Sequence, residues 1–384
     1  MFAVPSLDQC VQRARAAFRA YLPGTDAWIW PNNIGPTAKV VGGAVSMLYG
    51  RLDFISRQSR VVTASGKYLA EHGAQYGIIK KTAATSSGNV VLTASDATAV
   101  ANGAQFVRSD GVVVVASASV TLAAAGTLLV PVVAAVAALA GNTQPGAPLT
   151  ILSGVTGPGS AVATAVVDGN GLTGGLDVEA DGPFYTRDLG TYRGRILFRL
   201  AFTPHGGSPP DYVTWCGQVP GVTRTFVERL WNGRGTIRVF PIFDVVFAAT
   251  GGVADAAHIA LVQQVLASVQ PGDAEVTVVA PSPTIINVVI QGMTPNTTAV
   301  QNAVLVELAD TFQRLGQVAG NDAASAAIQA GLPFLAVPYS FSAIWVDQAV
   351  ANATGNKRAV IVSPTADVAI PAGSIPMLGT VTFQ

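Results

Sequence analysis

No charged residue lies between Asp110 and Asp168, and within that run Val112 to Ala140 is long and apolar enough to pass for a membrane span. Its internal pattern decides otherwise. Gly126 and Pro131 interrupt the run, and the tracts VVVVASASVTLA and TLLVPVVAAV are β-branched and partly alternating, as strands are. Turn clusters at Ser86-Ser87-Gly88-Asn89, Ser109-Asp110-Gly111 and Ala124-Ala125-Gly126 punctuate it. Residues 83–173 therefore read as an all-β domain of short strands. Helical patterns on both sides must then belong to other folding units, and 384 residues leave room for two or three. The expected class is multidomain α+β: an N-terminal helical region, an all-β middle domain and C-terminal α+β modules.

Residues 1–82 read as helical. Ser6 and Gln9 form a capping box, and Leu7, Val11, Ala14 and Phe18 make one apolar stripe until Pro23-Gly24 breaks it. The segment WIWPNNIGP holds Trp28 and Trp30, which either pack on the helices or anchor a partner. A second helix, roughly 36–59, sets Val41, Val45, Leu48, Leu52 and Ile55 on one side. A third follows around Ala64 to Gly73.

Residues 174–244 read as a compact helical and hairpin unit. The pair Gly174-Gly175 opens an acidic cluster of Asp177, Glu179 and Asp181. Leu189, Tyr192, Ile196 and Leu200 then have the spacing of a buried helical stripe, which Gly206-Gly207 stops. Ser208 caps a second helix with Pro209 at its first position, presenting Tyr212, Trp215 and Val219 inward, and Gly221 ends it. A hairpin with an Asn232-Gly233 turn completes the unit.

Beyond it, residues 245–384 alternate helix and strand. Asp255 to Ser268 aligns Ile259, Val262, Leu266 and Val269, and AEVTVVAPSP and TIINVVIQGM are alternating strands. Thr297 or Thr298 caps a long helix burying Val300, Val304, Leu308 and Phe312. A last helix, 342–353, leads to the strand AVIVSP and the ending IPAGSIPMLGTVTFQ. The order suggests modules of the split βαβ kind.

Charge and spacing exclude several chemistries. Charged residues make up 11% of the chain, with Lys+Arg and Asp+Glu at 22 each, so no electrostatic footprint for nucleic acid or an anionic membrane exists. Half the residues are hydrophobic, which points to surface buried against partners. Cys10 and Cys216 read as buried small hydrophobes, and His72, His205 and His258 are scattered without metal spacing. Gly169, Gly171 and Gly174 spell GxGxxG, but no helix follows to hold a phosphate. Asp177, Glu179 and Asp181 lack the closing glutamate of a calcium loop, so a solvated turn or an ion pair to Arg187, Arg193 or Arg195 fits better. No catalytic, cofactor-binding or metal-binding residue is expected. Met1 leads into a helix rather than a secretion signal, and the chain is expected in the cytoplasm until assembled.

An ordered set of short motifs carries a resemblance. It comprises GG-x-D-x-E-x-D from Gly174 to Asp181, R-x-R-I-L at Arg193 to Leu197, GG-x-x-x-DY at Gly206 to Tyr212, and VPGV at Val219 to Val222. The phrases KYLAEHGAQYGI and GNTQPGAPL and the C-terminal strand extend it over most of the chain. In this order the set resembles the baseplate J-like proteins, wedge subunits of contractile phage tails and related injection machines. One departure is GPFYTRDLGT, inserted where that family runs straight into a helix. The resemblance implies a structural wedge protein of the tail baseplate, assembled in the host cytoplasm. It would pair with a second copy and smaller wedge proteins, and contact the tail hub and sheath-initiating proteins. It implies a bundle through residues 1–82 and self-association through 245–384. Gly174, Gly175, Asp177, Glu179, Asp181, Arg193, Arg195, Gly206, Gly207, Asp211 and Tyr212 would form the hinge and motif set. The aromatic interface candidates are Trp28, Trp30, Trp231 and Trp345. The competing readings are a tail-associated enzyme, peptidoglycan-degrading or nucleotide-using, and a secreted β-rich adhesin.

Overall fold

The computed structural model describes the chain except residues 1–2, 27, 30–31, 158–162 and 186–188. Trp30 and Arg187 thus lie outside the described residues. Two compact units emerge, Met1–Ile79 with Asp181–Arg187, and Lys80–Ala180 with Asp188–Gln384.

The first unit holds three helices: α1 (Leu7–Tyr21), α2 (Ile34–Gln58) and α3 (Gly66–Gln75). The Ser6/Gln9 capping box forms as expected. Where α1 crosses α2, a Cβ on Gly42 would lie 2.6 Å from Val11 Cγ2 and 2.7 Å from its Cα, so only glycine permits this approach. Burial on α2 is confined to Gly35, Ala38 and Gly42. Most of the apolar side read from the sequence faces outward: Val41 is 42% exposed, Leu48 65%, Leu52 52% and Ile55 51%, while Val45 is half-buried.

The second unit begins with a β domain. Its strands are β1 (Ser87–Ala94), β2 (Thr98–Arg108), β3 (Val113–Ala116), β4 (Val120–Leu122), β5 (Gly126–Ala134), β6 (Pro148–Thr156) and β7 (Ala163–Val167). They order as β3-β5-β1-β7-β6-β2-β4, and β3 pairs with β2 as well as β5. That extra pairing closes the sheet on itself, which removes the exposed edges a sheet so rich in valine would otherwise present. The long uncharged run thus supplies a barrel interior of Val90, Leu92, Phe106, Val114, Val130 and Val132. Among the described residues no helix is long and apolar enough to cross a membrane.

A central module follows: α4 (Tyr192–Ala201), α5 (Pro209–Cys216), β8 (Arg224–Arg229), β9 (Thr236–Ile242), α6 (Ala256–Val269) and β10 (Glu275–Val278). Strands β8 and β9 are antiparallel, and α6 crosses over so that β10 joins β9 in parallel. The core gathers Tyr212, Cys216, Val227, Val239, Val262 and Leu266, and also Phe334, Leu335 and Val337 from far along the chain. Each fully buried apolar side chain of this size contributes about 1.5–3 kcal/mol.

The C-terminal module comprises β11 (Ser282–Thr294), α7 (Thr298–Leu315), β12 (Tyr339–Phe341), α8 (Ala343–Asn352), β13 (Arg358–Ser363), β14 (Val368–Ile370) and β15 (Ser374–Phe383). Strand β11 lies between antiparallel β13 and parallel β15. One face of this sheet packs on α7 and α8 through Val288, Ile290, Val304, Leu308 and Val346. The consecutive strands β10 and β11 belong to different sheets. The fold is multidomain α+β, helical at the start, all-β in the middle and α+β at the end.

Several local readings need correction. Leu200 is 41% exposed, and Phe198 takes the inward place instead. Helix α4 ends at Ala201, before Gly206-Gly207, because Pro204 disfavours helical geometry at the preceding residue. Helix α5 ends at Cys216, well short of Gly221, and Trp215 is only partly buried. The hairpin turn spans Leu230 to Gly235, with Leu230, Gly233 and Gly235 all at positive φ. Thr236 draws it wider than a two-residue turn by accepting from the Asn232 amide at 3.1 Å.

Candidate functional site

The chain enters and leaves the β domain along one paired path. Ala84 and Leu176 exchange backbone hydrogen bonds of 2.9 and 3.0 Å, and Ser87 and Thr173 do so at 2.8 and 3.1 Å. Nearer the domain's base the Glu179 amide donates to the Lys81 carbonyl at 3.1 Å, and the Lys81 amide donates to Glu179 Oε2 at 3.0 Å. The result is a two-stranded stalk. Gly174 and Gly175 sit on it. Gly174 has φ +88°, and a Cβ on Gly175 would lie 2.5 Å from the Ala138 carbonyl oxygen. Asn142 holds Gly175 from both sides, accepting from its amide at 2.7 Å and donating to its carbonyl at 3.1 Å.

The three acidic residues take three different partners. Asp177 accepts from the Leu139 amide at 2.9 Å, and Asp181 from the Gly66 amide at 2.9 Å. Glu179 takes the Arg195 guanidinium in a fork, Nε to Oε1 at 2.7 Å and Nη2 to Oε2 at 2.5 Å. Both side chains are 5% exposed, so this pair is desolvated and its two hydrogen bonds are charge-assisted. Among the described residues, Glu179 pairs with Arg195. Arg193 is buried at 1% exposure on the same helix. The Tyr192 amide donates to the Ala180 carbonyl at 3.0 Å, and the Arg195 guanidinium lies 5.6 Å from the Tyr192 ring centre.

Lys81, which the sequence reading passed over, completes this site. Its Nζ donates to the Val222 carbonyl at 2.8 Å, tying the stalk to the VPGV segment. Burial, then the Arg195 charge, pull its pKa down to about 8, against the smaller upward pull of Glu179 and Cys216. Burial pushes the neighbouring Cys216 thiol up to about 12. The only sequence signal for Lys81 was its place in Lys80-Lys81, the last cations before a charge-poor region.

The second motif forms a loop gathered around one carboxylate oxygen. Asp211 Oδ2 accepts from the amides of His205 (3.1 Å), Gly207 (2.9 Å) and Ser208 (2.9 Å), and from Ser208 Oγ at 3.0 Å. Burial pushes the Asp211 carboxyl up, but these donors outweigh it and hold the pKa below the usual value. Gly206 (φ +72°) and Gly207 (φ +123°) supply the backbone turn, with a Cβ on Gly207 only 2.6 Å from Pro271 Cγ. Tyr212 is fully buried, its ring edge-on to Trp215 at 5.1 Å. The loop, Tyr212, Arg229, Leu230 and Pro271 surround a cavity of about 590 Å³.

Among the described residues no group of three or more His, Cys, Asp or Glu converges as a metal site. His258 lies against Phe243 and Phe247 and bonds Asp255, while His72 bonds the Gln58 carbonyl.

The loop anchored by Asp211 opens a stretch, residues 204–280, that matches the family model described as Baseplate J-like central domain. This stretch runs through α5, the β8–β9 hairpin, α6 and β10, and over these elements the chain is similar to the baseplate J-like family. Two named relatives share more of its length. "Baseplate protein gp47" of Escherichia phage Mu is 29% identical over 63% of this chain, a span covering 64% of the Mu protein. "Mu-like prophage FluMu protein gp47" of Haemophilus influenzae is 26% identical over 100% of this chain and 99% of its own. Among solved structures, a chain of the anti-feeding prophage baseplate aligns over 98% of this chain and 100% of its own. With a TM-score of 0.38 and 9% identity, that likeness carries no inference.

Proposed function

We propose that this phage-tail baseplate protein is a structural wedge subunit, with no enzymatic activity of its own. In this role it forms part of the ring around the tail hub and relays the change that triggers sheath contraction. The observation that carries the reading is the outward apolar stripe of α2. Val41, Leu48, Leu52 and Ile55 recur at helical spacing along a 25-residue helix and are all at least 42% exposed. A stripe of that length on a helix is the geometry of a bundle seam awaiting its partner helices.

Residues 1–82 are accordingly the wedge-bundle region, meeting a second copy of the chain and smaller wedge proteins. Residues 245–384 are the self-association region between wedges. The all-β domain of 83–173 and the unit of 174–244 join them, and hub and sheath-initiating proteins complete the set of partners. The hinge function falls to Gly174-Gly175 and Gly206-Gly207, with Asp177, Glu179, Asp181, Arg193, Arg195, Asp211 and Tyr212 as the framework that holds them. If alanine at these glycines leaves both assembly and contraction untouched, the hinge assignment is wrong.

Light scattering tests the wedge role directly. The mass is measured for the chain alone and co-expressed with the proteins encoded beside it. The expected result is a stable complex of two copies and one neighbour. A monomer that ignores every neighbour overturns the proposal and makes turnover on peptidoglycan the next assay.

A further inference from the structure

The stalk carries two cations and one carboxylate: the Arg195 and Glu179 side chains are buried, and Lys81 is half-buried. Arg195 takes both oxygens of Glu179, while Lys81, whose backbone is bonded to the same carboxylate, sends its ammonium to the neutral Val222 carbonyl. Among the described residues Lys81 therefore has no carboxylate to itself. The charged and titratable groups that act on it are Glu179, Arg195 and Cys216. Glu179 and Arg195 neutralise one another. The Cys216 thiol, pushed up to about 12, stays neutral throughout the range considered below.

We propose that Lys81, Glu179 and Arg195 form a spring-loaded latch, which clamps the paired connections of the β domain to the central module and is driven toward release by the half-buried, partly desolvated ammonium. Glu179 is the hook, because its carboxylate takes both the Lys81 amide and the Arg195 guanidinium of α4. Lys81 is the spring: closing the stalk takes its ammonium out of water, and opening returns it. This device belongs to a single chain and stands independently of the wedge role.

The sign of its pH dependence follows from linkage. Lys81 titrates at about 8 when the latch is closed and returns toward 10.5 when water reaches it. At pH 7 the ammonium is charged in both states, so the closed state bears the whole cost of burying it. Above pH 8 the closed state sheds the proton and that cost falls. The opening equilibrium should therefore drop about tenfold between pH 7 and pH 9, the latch tightening as pH rises.

Hydrogen exchange on the full-length chain, corrected for the intrinsic pH dependence of amide exchange, reads this at the amides of Lys81, Ala84, Leu176 and Glu179. The amides of Val288 and Ile290 in β11 serve as the internal control for global unfolding. The wild type should show stalk opening falling about tenfold from pH 7 to pH 9 while the control stays level. Lys81→Met should abolish the slope, as should Lys81→Arg, which cannot deprotonate in this range. Glu179→Gln should raise stalk opening at pH 7 with the control unchanged. A flat or reversed slope in the wild type, a slope that survives in Lys81→Met or Lys81→Arg, or a stalk indifferent to Glu179→Gln overturns the proposal.

Discussion

At the scale of single residues, Asp211 shows how a short motif acts through backbone rather than chemistry. Its Oδ2 satisfies three amides and a hydroxyl at the start of α5. Asp211→Ala should cost about 0.5–2 kcal/mol in urea unfolding, since it leaves three loop amides and a hydroxyl without their shared acceptor. The folded pKa lies below the unfolded one, so this contribution is complete above about pH 4 and is lost as pH falls through the folded value. The variant should accordingly lose less stability than the wild type on acidification from pH 5 to pH 3, which urea midpoints at each pH will show. The role of Asp211 was legible in outline from Ser208, Pro209 and the glycine pair before them. The partner of Glu179 was not: Arg195 stands 16 positions further along the chain, on α4, and helical or strand spacing has no purchase over that distance. Lys81 was less legible still, because its acceptor is a backbone carbonyl 141 residues away.

At the scale of elements, periodicity located nearly every helix, while burial depended on what lies opposite. On α7, the stripe of Val300, Val304, Leu308 and Phe312 faces a sheet and is buried. On α2 an equally regular stripe is exposed. The two are indistinguishable as patterns, because a partner helix on another chain leaves the same signature as a core. Leu48→Gln with Leu52→Gln should thus change monomer stability by no more than about 0.5 kcal/mol, yet reduce association with the co-expressed neighbours in light scattering. Core positions should behave in the opposite way. Leu266 and Leu308 are both fully buried and belong to clusters that share no residue. Leu266→Ala and Leu308→Ala should each cost about 2–5 kcal/mol. Their sum should predict the double variant to within about 0.5 kcal/mol in chemical denaturation.

At the scale of the whole molecule, class was easier to read than connectivity. The change from charged helical sequence to an uncharged β-branched run marked the all-β domain. Closure of its sheet was invisible, because it depends on the distant pairings of β1 with β7 and of β2 with β6, which no local pattern marks. The same holds for residues 334–337, which lie beside β8 in the central core although more than 100 residues separate them from it by chain order. The β domain itself begins and ends at neighbouring points, Ala84 and Leu176. Replacing the residues between them with a short Asn-Gly turn should therefore leave the denaturation midpoint of the central core unchanged, while a drop in that midpoint would show that the barrel supports the core.

This side-by-side arrangement also has a mechanical meaning. Tension that enters the chain at Lys81 and leaves at Glu179 runs across the bonds between those two residues and bypasses the barrel entirely. The barrel hangs outside the load path like a pendant from a closed clasp. While the clasp holds, pulling on the chain stretches none of its strands. Once the clasp parts, the stalk unzips pair by pair from its base, at forces far below those needed to shear a sheet.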